Sequence, residues 1–318
     1  MLEGDIWPAL RNYWHPVALS KDVTTKPQSV RLLGEPFVIY RAGSEVVCLQ
    51  DLCIHRGTPL SLGWTEGENL VCAYHGWAYN REGVCVRIPS LEAGRPIPQK
   101  ARVPNYLCEE RHGLVWVCIG PPRVPIPECP EFGLEQYKYY LVGPTRWKCS
   151  AARAMENFVD LAHFAWVHEG ILGDRSHPEV PPVHITCYGE ELRYTVEEKP
   201  NPMHPVGHRR VYRICRPFTI HQRKEREDGQ VEVAFFTVTP HSAGESTNYL
   251  WVLRSFELNA EEARERKKLD EFIMQQDQAI VENQRPEELP LDLAAELHLR
   301  GPDTVAVEYR RFLAELVS

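Results

Sequence analysis

The sequence predicts an α+β protein, with an all-β part first and an antiparallel sheet with long helices second. Short runs of alternating apolar residues fill positions 26–120, as in the strands of a small β domain. Five prolines crowd positions 121–130 and prevent regular structure there. Beyond them, consecutive strand patterns precede an amphipathic helical pattern at positions 260–283. Two parts joined by a proline-rich linker are therefore expected.

The strands of the first part are short, and Gly43-Ser44 is a hairpin signal between two of them. They are predicted at positions 30–33, 36–40, 46–49, 70–73, 84–88 and 113–119. In the second part, positions 139–149 lead from a strand into a helix that begins near Ala151. Further strands are predicted at positions 183–187, 191–196, 210–215, 218–223, 231–239 and 248–258, with a hairpin at Asp228-Gly229. A last helix is predicted at positions 303–316.

Length and composition are those of an ordinary globular protein. The 318 residues, 43% of them hydrophobic and 25% charged, suffice for two domains. A net charge of −8 argues against nucleic acid as a partner. No apolar run reaches the roughly 18 residues of a membrane span, and the start lacks a signal-peptide pattern. Ten cysteines without a paired framework fit a reducing compartment, so a cytoplasmic location is expected.

Two short motifs combine cysteine with histidine. Cys53 precedes His55 with one residue between them, and Cys72 precedes His75 with two. Two thiolates and two imidazoles can hold tetrahedral zinc, or a [2Fe-2S] cluster with two histidines on one iron. A zinc finger has its cysteine pair first and its histidine pair later, whereas each motif here carries one of each. The interleaving favours the cluster, with zinc and unligated core residues as the alternatives.

The stretches C-I-H-R-G-T-P-L-S from Cys53 and C-A-Y-H-G-W from Cys72 resemble the two halves of the site in Rieske non-haem iron oxygenases. Membrane-bound respiratory Rieske proteins carry an extra cysteine in each loop, and the two form a disulfide. This chain has no cysteine at those positions. The resemblance therefore favours the oxygenase branch, and within it the vanillate O-demethylase, dicamba demethylase and phthalate oxygenase group.

A second set of ionisable residues lies in the apolar stretch at positions 151–168. Burial of Asp160, His163 and His168 there costs free energy unless they are paired or bind a metal. Asp160 and His163 would share a helix face, but His163 and His168 lie about 140° apart on an ideal helix. The two histidines can meet only if the helix ends or widens between them. Two ordinary core histidines are the alternative.

A carboxylate on the predicted helix at positions 260–283 is the third candidate. Asp277 falls in an apolar stripe that consists of Leu269, Phe272, Ile273, Ile280 and Val281. A carboxylate in such a stripe needs a partner. Two histidines and one carboxylate form the facial triad of non-haem Fe(II) oxygenases, so His163, His168 and Asp277 are the predicted ligands. The alternative for Asp277 is a rim charge paired with an arginine or lysine.

The resemblance extends to this half. Asn157, Asp160, His163 and His168 are similar to the iron motif of Rieske oxygenase catalytic domains, and Gln276-Asp277 is similar to their distal ligand region. It implies a Rieske domain over positions 1–125, a linker over 126–138 and a helix-grip catalytic domain with a curved antiparallel sheet over 139–318. It also implies one [2Fe-2S] cluster and one mononuclear Fe(II) per chain.

By the same resemblance, Asn157 and Asp160 are catalytic residues and the protein is a homotrimer. Asp160 would bridge His163 of its own chain and His75 of a neighbouring chain. A structural role for Asp160, holding the helix, is the alternative.

The leading prediction is a terminal oxygenase that receives electrons from a reductase or ferredoxin. It would use O2 to hydroxylate or oxidatively demethylate a small, aromatic substrate. A ring cis-dihydroxylating dioxygenase is the alternative within the family. An electron carrier or redox-sensing binding protein is the alternative from another class and needs no second iron. A zinc-binding interaction module is a third.

Overall fold

The computed structural model describes residues 1–198 and 207–317 and divides into two compact units. One unit comprises residues 11–126, and the other joins residues 1–10 to the chain from Pro127 onward. The functional boundaries 1–125, 126–138 and 139–318 stay a prediction, because compact packing does not assign function. No helix in the described residues is long and apolar enough to cross a membrane.

The unit of residues 11–126 consists of two antiparallel sheets. The six-stranded sheet has the order β1-β10-β9-β4-β3-β2 and the four-stranded sheet the order β5-β6-β7-β8. The strands are β1 (His15–Leu19), β2 (Gln28–Leu32), β3 (Glu35–Ala42), β4 (Glu45–Gln50), β5 (Trp64–Glu66), β6 (Asn69–Val71), β7 (Ala78–Tyr79), β8 (Cys85–Arg87), β9 (Asn105–Arg111) and β10 (Leu114–Cys118). This arrangement confirms the predicted all-β part.

A buried apolar cluster fills the core of this unit. It takes side chains such as Tyr40, Leu60 and Tyr79 from strands and turns, and it includes Cys53 and Cys72. The sequence predicted a strand over positions 70–73, but β6 ends at Val71 and Cys72 opens a turn. The predicted strand is too long because Cys72 is as buried as a strand residue, although its backbone already belongs to a turn.

The second unit is built on one seven-stranded antiparallel sheet with the order β11-β17-β16-β15-β14-β13-β12. Its strands are β11 (Lys138–Trp147), β12 (Thr186–Tyr188), β13 (Glu191–Glu198), β14 (His208–Cys215), β15 (Thr219–Arg226), β16 (Val231–Ser242) and β17 (Glu245–Arg254). No strand or helix lies between Cys118 and Lys138. The proline-rich segment is therefore irregular, as expected.

The helices of the chain are α1 (Trp7–Leu10), α2 (Ala151–Val159), α3 (Phe164–Val167), α4 (Ala260–Val281) and α5 (Thr304–Ala314). Short 3-10 turns lie at Glu3–Ile6, Ser20–Asp22, Leu60–Leu62 and Leu293–Ala295. Helix α4 packs against β11, and α2 packs against β16, β17 and both longer helices, α4 and α5. Helices against one antiparallel sheet confirm the predicted α+β class.

Helix α4 begins at a capping box. The Asn259 side chain accepts hydrogen bonds from the backbone N–H groups of Glu261 and Glu262, and Glu262 bonds back to the Asn259 N–H. The predicted apolar stripe is wrong at two positions, because Phe272 and Ile280 are about half exposed.

The buried face of α4 consists instead of Asp270, Met274, Asp277 and Val281. Two of these four residues are carboxylates, which a count of apolar residues alone cannot place on a buried face.

Candidate metal centres

The two Cys/His motifs fold into loops of the same backbone geometry. The Gly57 amide donates to the Cys53 carbonyl at 2.9 Å, and the Gly76 amide donates to the Cys72 carbonyl at 3.0 Å. Both glycines have φ of 70°, the left-handed region that a glycine enters without a Cβ clash. Each Cys-x-x-x-Gly turn therefore closes behind its cysteine in the same way.

The two loops separate sulfur from nitrogen. Cys53 and Cys72 are only 3% and 1% exposed, whereas His55 and His75 are exposed. The two imidazole centroids lie 4.6 Å apart, and the His55 ring stacks on Trp77 at 4.5 Å. The four predicted cluster ligands are thus brought together, with both thiols in the core and both imidazoles at the surface.

Hydrogen-bond donors surround the sulfur atoms. Burial and the adjacent Cys53 raise the pKa of Cys72, while the backbone N–H groups of Tyr74 and His75 lower it. The Tyr79 hydroxyl lies 3.0 Å from Cys53 Sγ. Such donors stabilise thiolate charge, which fits cysteines that ligate iron. Nothing in the spacing of the two motifs marks Tyr79 as their neighbour.

Helix α2 ends before the second candidate site, at Val159. Asp160 is extended, with ψ of 128°, and its Oδ1 accepts the Ala162 N–H at 2.9 Å. An aspartate side chain that bonds two residues ahead competes with helical bonding and turns the chain. The expectation that Asp160 and His163 share a helix face is therefore wrong. His163 and His168 flank the one-turn helix α3 instead.

Three predicted ligands converge beyond this break. Asp277 Oδ1 lies 3.4 Å from His163 Nε2 and 2.9 Å from His168 Nε2, and one ligand atom of each residue lies within 4.8 Å of the others. His168 Nε2 and Asp277 Oδ1 are both buried, but the geometry between them does not meet the criteria for a hydrogen bond. Neither atom has a hydrogen-bond partner elsewhere in the described residues. Converging buried ligand atoms without hydrogen bonds fit a metal ion.

The opposite ring nitrogens of both histidines are held. His163 Nδ1 lies 3.2 Å from Asp160 Oδ2, and His168 Nδ1 lies 3.0 Å from Gln276 Oε1. An acceptor at Nδ1 places the proton there and leaves the Nε2 lone pair for a metal. Gln276 was predicted only as a neighbour of Asp277, and its contact with His168 is new.

The charges of the three residues are coupled. Burial opposes a proton on His163, but the neighbouring carboxylates Asp160 and Asp277 outweigh it and raise the pKa of His163 to about 9. Burial likewise opposes ionisation of Asp277, but His163 and His168 lower its pKa overall. The negative field of the carboxylates that favours a proton on His163 would also favour a divalent cation.

A cavity of about 130 Å³ adjoins the three ligands. Its apolar walls include Phe158, Phe164, Leu172, Leu250, Ile273 and Met274. Asn157, predicted as catalytic, also lines it. The site therefore offers three metal ligands beside a space for a small, largely apolar molecule.

A further group of potential ligands, Cys129, Glu131 and His221, also lies within 4.8 Å. Both carboxylate oxygens of Glu131 are already bound, one by His221 Nε2 at 2.8 Å and one by Arg223 at 2.6 Å. The guanidinium charge of Arg223 compensates the carboxylate charge that a cation would need. We assign this group as a structural ion pair.

Two family models match the chain. The Rieske [2Fe-2S] domain matches residues 13–106, and the vanillate O-demethylase oxygenase C-terminal domain matches residues 147–318. Together they cover both candidate centres.

Known proteins resemble the whole chain. Methylxanthine N1-demethylase NdmA of Pseudomonas putida is 30% identical over 96% of this chain and 89% of its own sequence. The structure of NdmA with caffeine covers 98% of this chain and 92% of its own, with a TM-score of 0.89 and 29% identity. Dicamba monooxygenase bound to dicamba covers 97% of each chain at a TM-score of 0.82, and its 21% identity shows a shared fold.

These matches confirm the predicted resemblance, enzyme class and cofactors, a [2Fe-2S] cluster and a mononuclear iron. They exclude the zinc module, since the cysteine and histidine loops lie inside the Rieske match. A C-terminal oxygenase domain over the triad also rules out an electron carrier without a second site. The chain belongs to the Rieske non-haem iron oxygenases, as an oxygenase subunit with a C-terminal domain of the vanillate O-demethylase type.

Proposed function

We propose that this oxygenase subunit hydroxylates or oxidatively demethylates a small aromatic substrate. The observation that carries the proposal is the convergence of His163, His168 and Asp277 at the wall of an apolar cavity. The matched C-terminal model is named for an O-demethylase and the full-length relative for an N-demethylase. These names support demethylation over ring cis-dihydroxylation.

The proposed ligands are Cys53, His55, Cys72 and His75 for the cluster, and His163, His168 and Asp277 for the iron. When bound, the two centres supply electron transfer and O2 activation. The chain orients them: acceptors at both Nδ1 atoms fix the His163 and His168 rings. The apolar walls hold an aromatic ring beside the triad and exclude water.

Oxygen uptake by the holoprotein with a surrogate reductase tests the function. Methoxylated and N-methylated aromatic compounds should stimulate uptake and release formaldehyde in proportion to product. The proposal would be contradicted if none of these compounds stimulated O2 uptake and neither formaldehyde nor a hydroxylated product was formed.

Substitution of Asp277 tests the iron site. Asp277→Ala should lose the mononuclear iron and all turnover while keeping the visible spectrum of the cluster, because only one of the two centres loses a ligand. Glu265→Ala, at an exposed carboxylate of the same helix, is the matched control and should keep both iron centres. Normal turnover by Asp277→Ala would require a different carboxylate ligand.

We further propose the assembly that the family resemblance implies. Residues 1–125 would form the Rieske domain, 126–138 the linker and 139–318 the catalytic domain, in a cytoplasmic homotrimer served by a reductase or ferredoxin. Asp160 has a side chain one-third exposed, and His75 is exposed. A contact between Asp160 and the His75 of a neighbouring chain is therefore sterically open.

A further inference from the structure

Charged residues line part of the cavity beside the triad. Lys224 on β15 lies in register between Arg210 on β14 and Glu232 on β16. Arg266 and Asp270 face the same cavity from α4. These two precede Asp277 by eleven and seven residues, or about 16 and 10 Å along the helix. The charged wall is thus set back along α4 from the iron ligands.

All but one of these cavity charges have a partner. Arg210 binds Glu198 at 2.8 Å, and Arg266 binds Glu232 at 3.1 Å. Asp270 lies 3.4 Å from Arg266 and also accepts the Tyr140 hydroxyl. Arginine pairs of this kind are fixed elements of the wall rather than free binding groups.

Lys224 differs from its neighbours. Within residues 1–198 and 207–317, its ammonium group makes no hydrogen bond and no ion pair. Glu232, the carboxylate directly across the strand, is held by Arg266 instead. Lys224 is only partly exposed and lines the cavity. A half-buried ammonium without a partner is costly unless a ligand supplies an anion.

The charges around Lys224 balance without it: the arginines Arg210, Arg254 and Arg266 stand against the carboxylates Glu198, Glu232 and Asp270, so the Lys224 ammonium adds a positive charge that none of them compensates. Arg254 follows Glu232 in register across β17, and two of its guanidinium nitrogens are buried without a hydrogen bond in the described residues. Burial first, and then the charges of Arg210 and Arg266, lower the pKa of Lys224 to about 8 against the opposing effect of Glu232 and Glu198. An anion beside this ammonium would offset the burial and the neighbouring positive charges that lower its pKa.

We propose that Lys224 binds a carboxylate of the substrate, so that the enzyme acts on aromatic acids bearing an oxidisable methyl or methoxy group. This inference rests on the proposed function and narrows it. Three ammonium N–H donors suit a carboxylate, and the apolar walls suit the ring between the carboxylate and the iron. The relative NdmA is named for methylxanthines, which carry no carboxylate. Lys224 would therefore set a different specificity on a shared fold.

Equilibrium binding to the oxidised holoenzyme tests this without turnover. Calorimetric titrations should show that para-methoxybenzoate binds at least about tenfold more tightly than para-methoxybenzamide or theobromine. Lys224→Met should remove that preference by weakening benzoate binding, whereas Lys224→Arg should keep most of it. Lys268→Met, at an exposed lysine of α4, is the charge-matched control and should leave the preference intact.

The pH dependence of para-methoxybenzoate affinity provides a second readout. Because the ammonium loses its proton above a pKa of about 8, benzoate affinity of the wild type should fall as the pH rises through 8, and Lys224→Met should lack this fall. Equal affinity for benzoate and benzamide, tighter binding of theobromine, no benzoate binding at millimolar concentration, or an unchanged preference in Lys224→Met would each overturn the proposal. Formaldehyde release from any methylated compound would still support the general function.

Discussion

The two triad histidines are oriented by different residues. Asp160, a carboxylate, contacts His163, whereas Gln276, a neutral amide, contacts His168. The amide can accept one hydrogen bond at Oε1 without adding charge to the site. His168 is 1% exposed, so its ring has no water to replace that acceptor. We therefore infer that Gln276 positions His168 as a ligand of the proposed iron site.

Gln276→Leu should weaken iron binding about 10- to 100-fold, because His168 loses the acceptor that fixes its tautomer. The cluster spectrum should not change. Iron content after dialysis against a graded chelator series measures the effect. Gln275→Leu, at the exposed neighbouring glutamine, is the control and should retain iron like the wild type. Equal retention in both variants would remove the positioning role.

The sequence could predict candidate metal ligands better than the residues that orient those ligands or bind the substrate. Cys53, His55, Cys72 and His75 follow a spacing that few other sites share, and the structure brings them together. Lys224 lies one residue past the predicted strand at positions 218–223, in a run of charged residues that continues to Asp228. Only the pairing of β14, β15 and β16 shows which of its charged neighbours are already bound.

At the level of elements, a single carboxylate ties the irregular segment after Pro127 to the sheet. Glu131 binds His221 and Arg223 on β15, and it is 6% exposed. Burial alone would raise the pKa of Glu131, but His221 and Arg223 lower it to about 2. The pair therefore stabilises the fold when the carboxylate is ionised.

Glu131→Gln should lower the free energy of unfolding by about 2 kcal/mol at neutral pH, because it removes the charge of a buried carboxylate that is hydrogen-bonded to His221 and Arg223. The lowered pKa means that the contribution is complete above the ordinary carboxyl pKa of 4.5 and is lost as the pH falls toward 2. The difference in free energy of unfolding between variant and wild type, measured by urea denaturation, should become smaller over that pH range. Glu135→Gln, exposed in the same segment, should show no such difference at any pH.

Element boundaries show where sequence patterns stop being informative. A helix end or widening was expected between His163 and His168, but the break lies earlier, after Val159, and a one-turn helix stands between the two histidines. The cause is a side-chain bond from Asp160 to Ala162, which no periodicity reports. In α4, burial follows Asp270, Met274 and Asp277 rather than Phe272. A helix that carries functional carboxylates inward violates the apolar pattern used to find it.

At the scale of the whole molecule, the proposed contact between Asp160 and His75 of a neighbouring chain would carry electrons to the catalytic site. Asp160→Asn should keep both iron centres, because an asparagine Oδ1 can still accept the Ala162 N–H and preserve the turn. Electron transfer to the catalytic site should nevertheless fall about 10- to 100-fold, since the charge that joins two imidazoles is gone.

Single-turnover mixing of the reduced variant with O2 and substrate measures that transfer. Asp228→Asn, at an exposed hairpin, should match the wild type. Product formed by Asp160→Asn at the wild-type rate would show that the carboxylate does not couple the centres. Sedimentation of each variant separates loss of coupling from loss of the trimer.

Placing both cysteines inside and both histidines outside gives the Rieske loops a polarity before any partner binds. On the thiol side, a tunnelling electron would have to cross a packed hydrophobic core. On the imidazole side, one aromatic ring separates the centre from the solvent. The two Cys-x-x-x-Gly turns thus place the imidazoles on the side from which electron transfer is shortest. An electron donor and an electron acceptor must therefore bind that side together or one after the other.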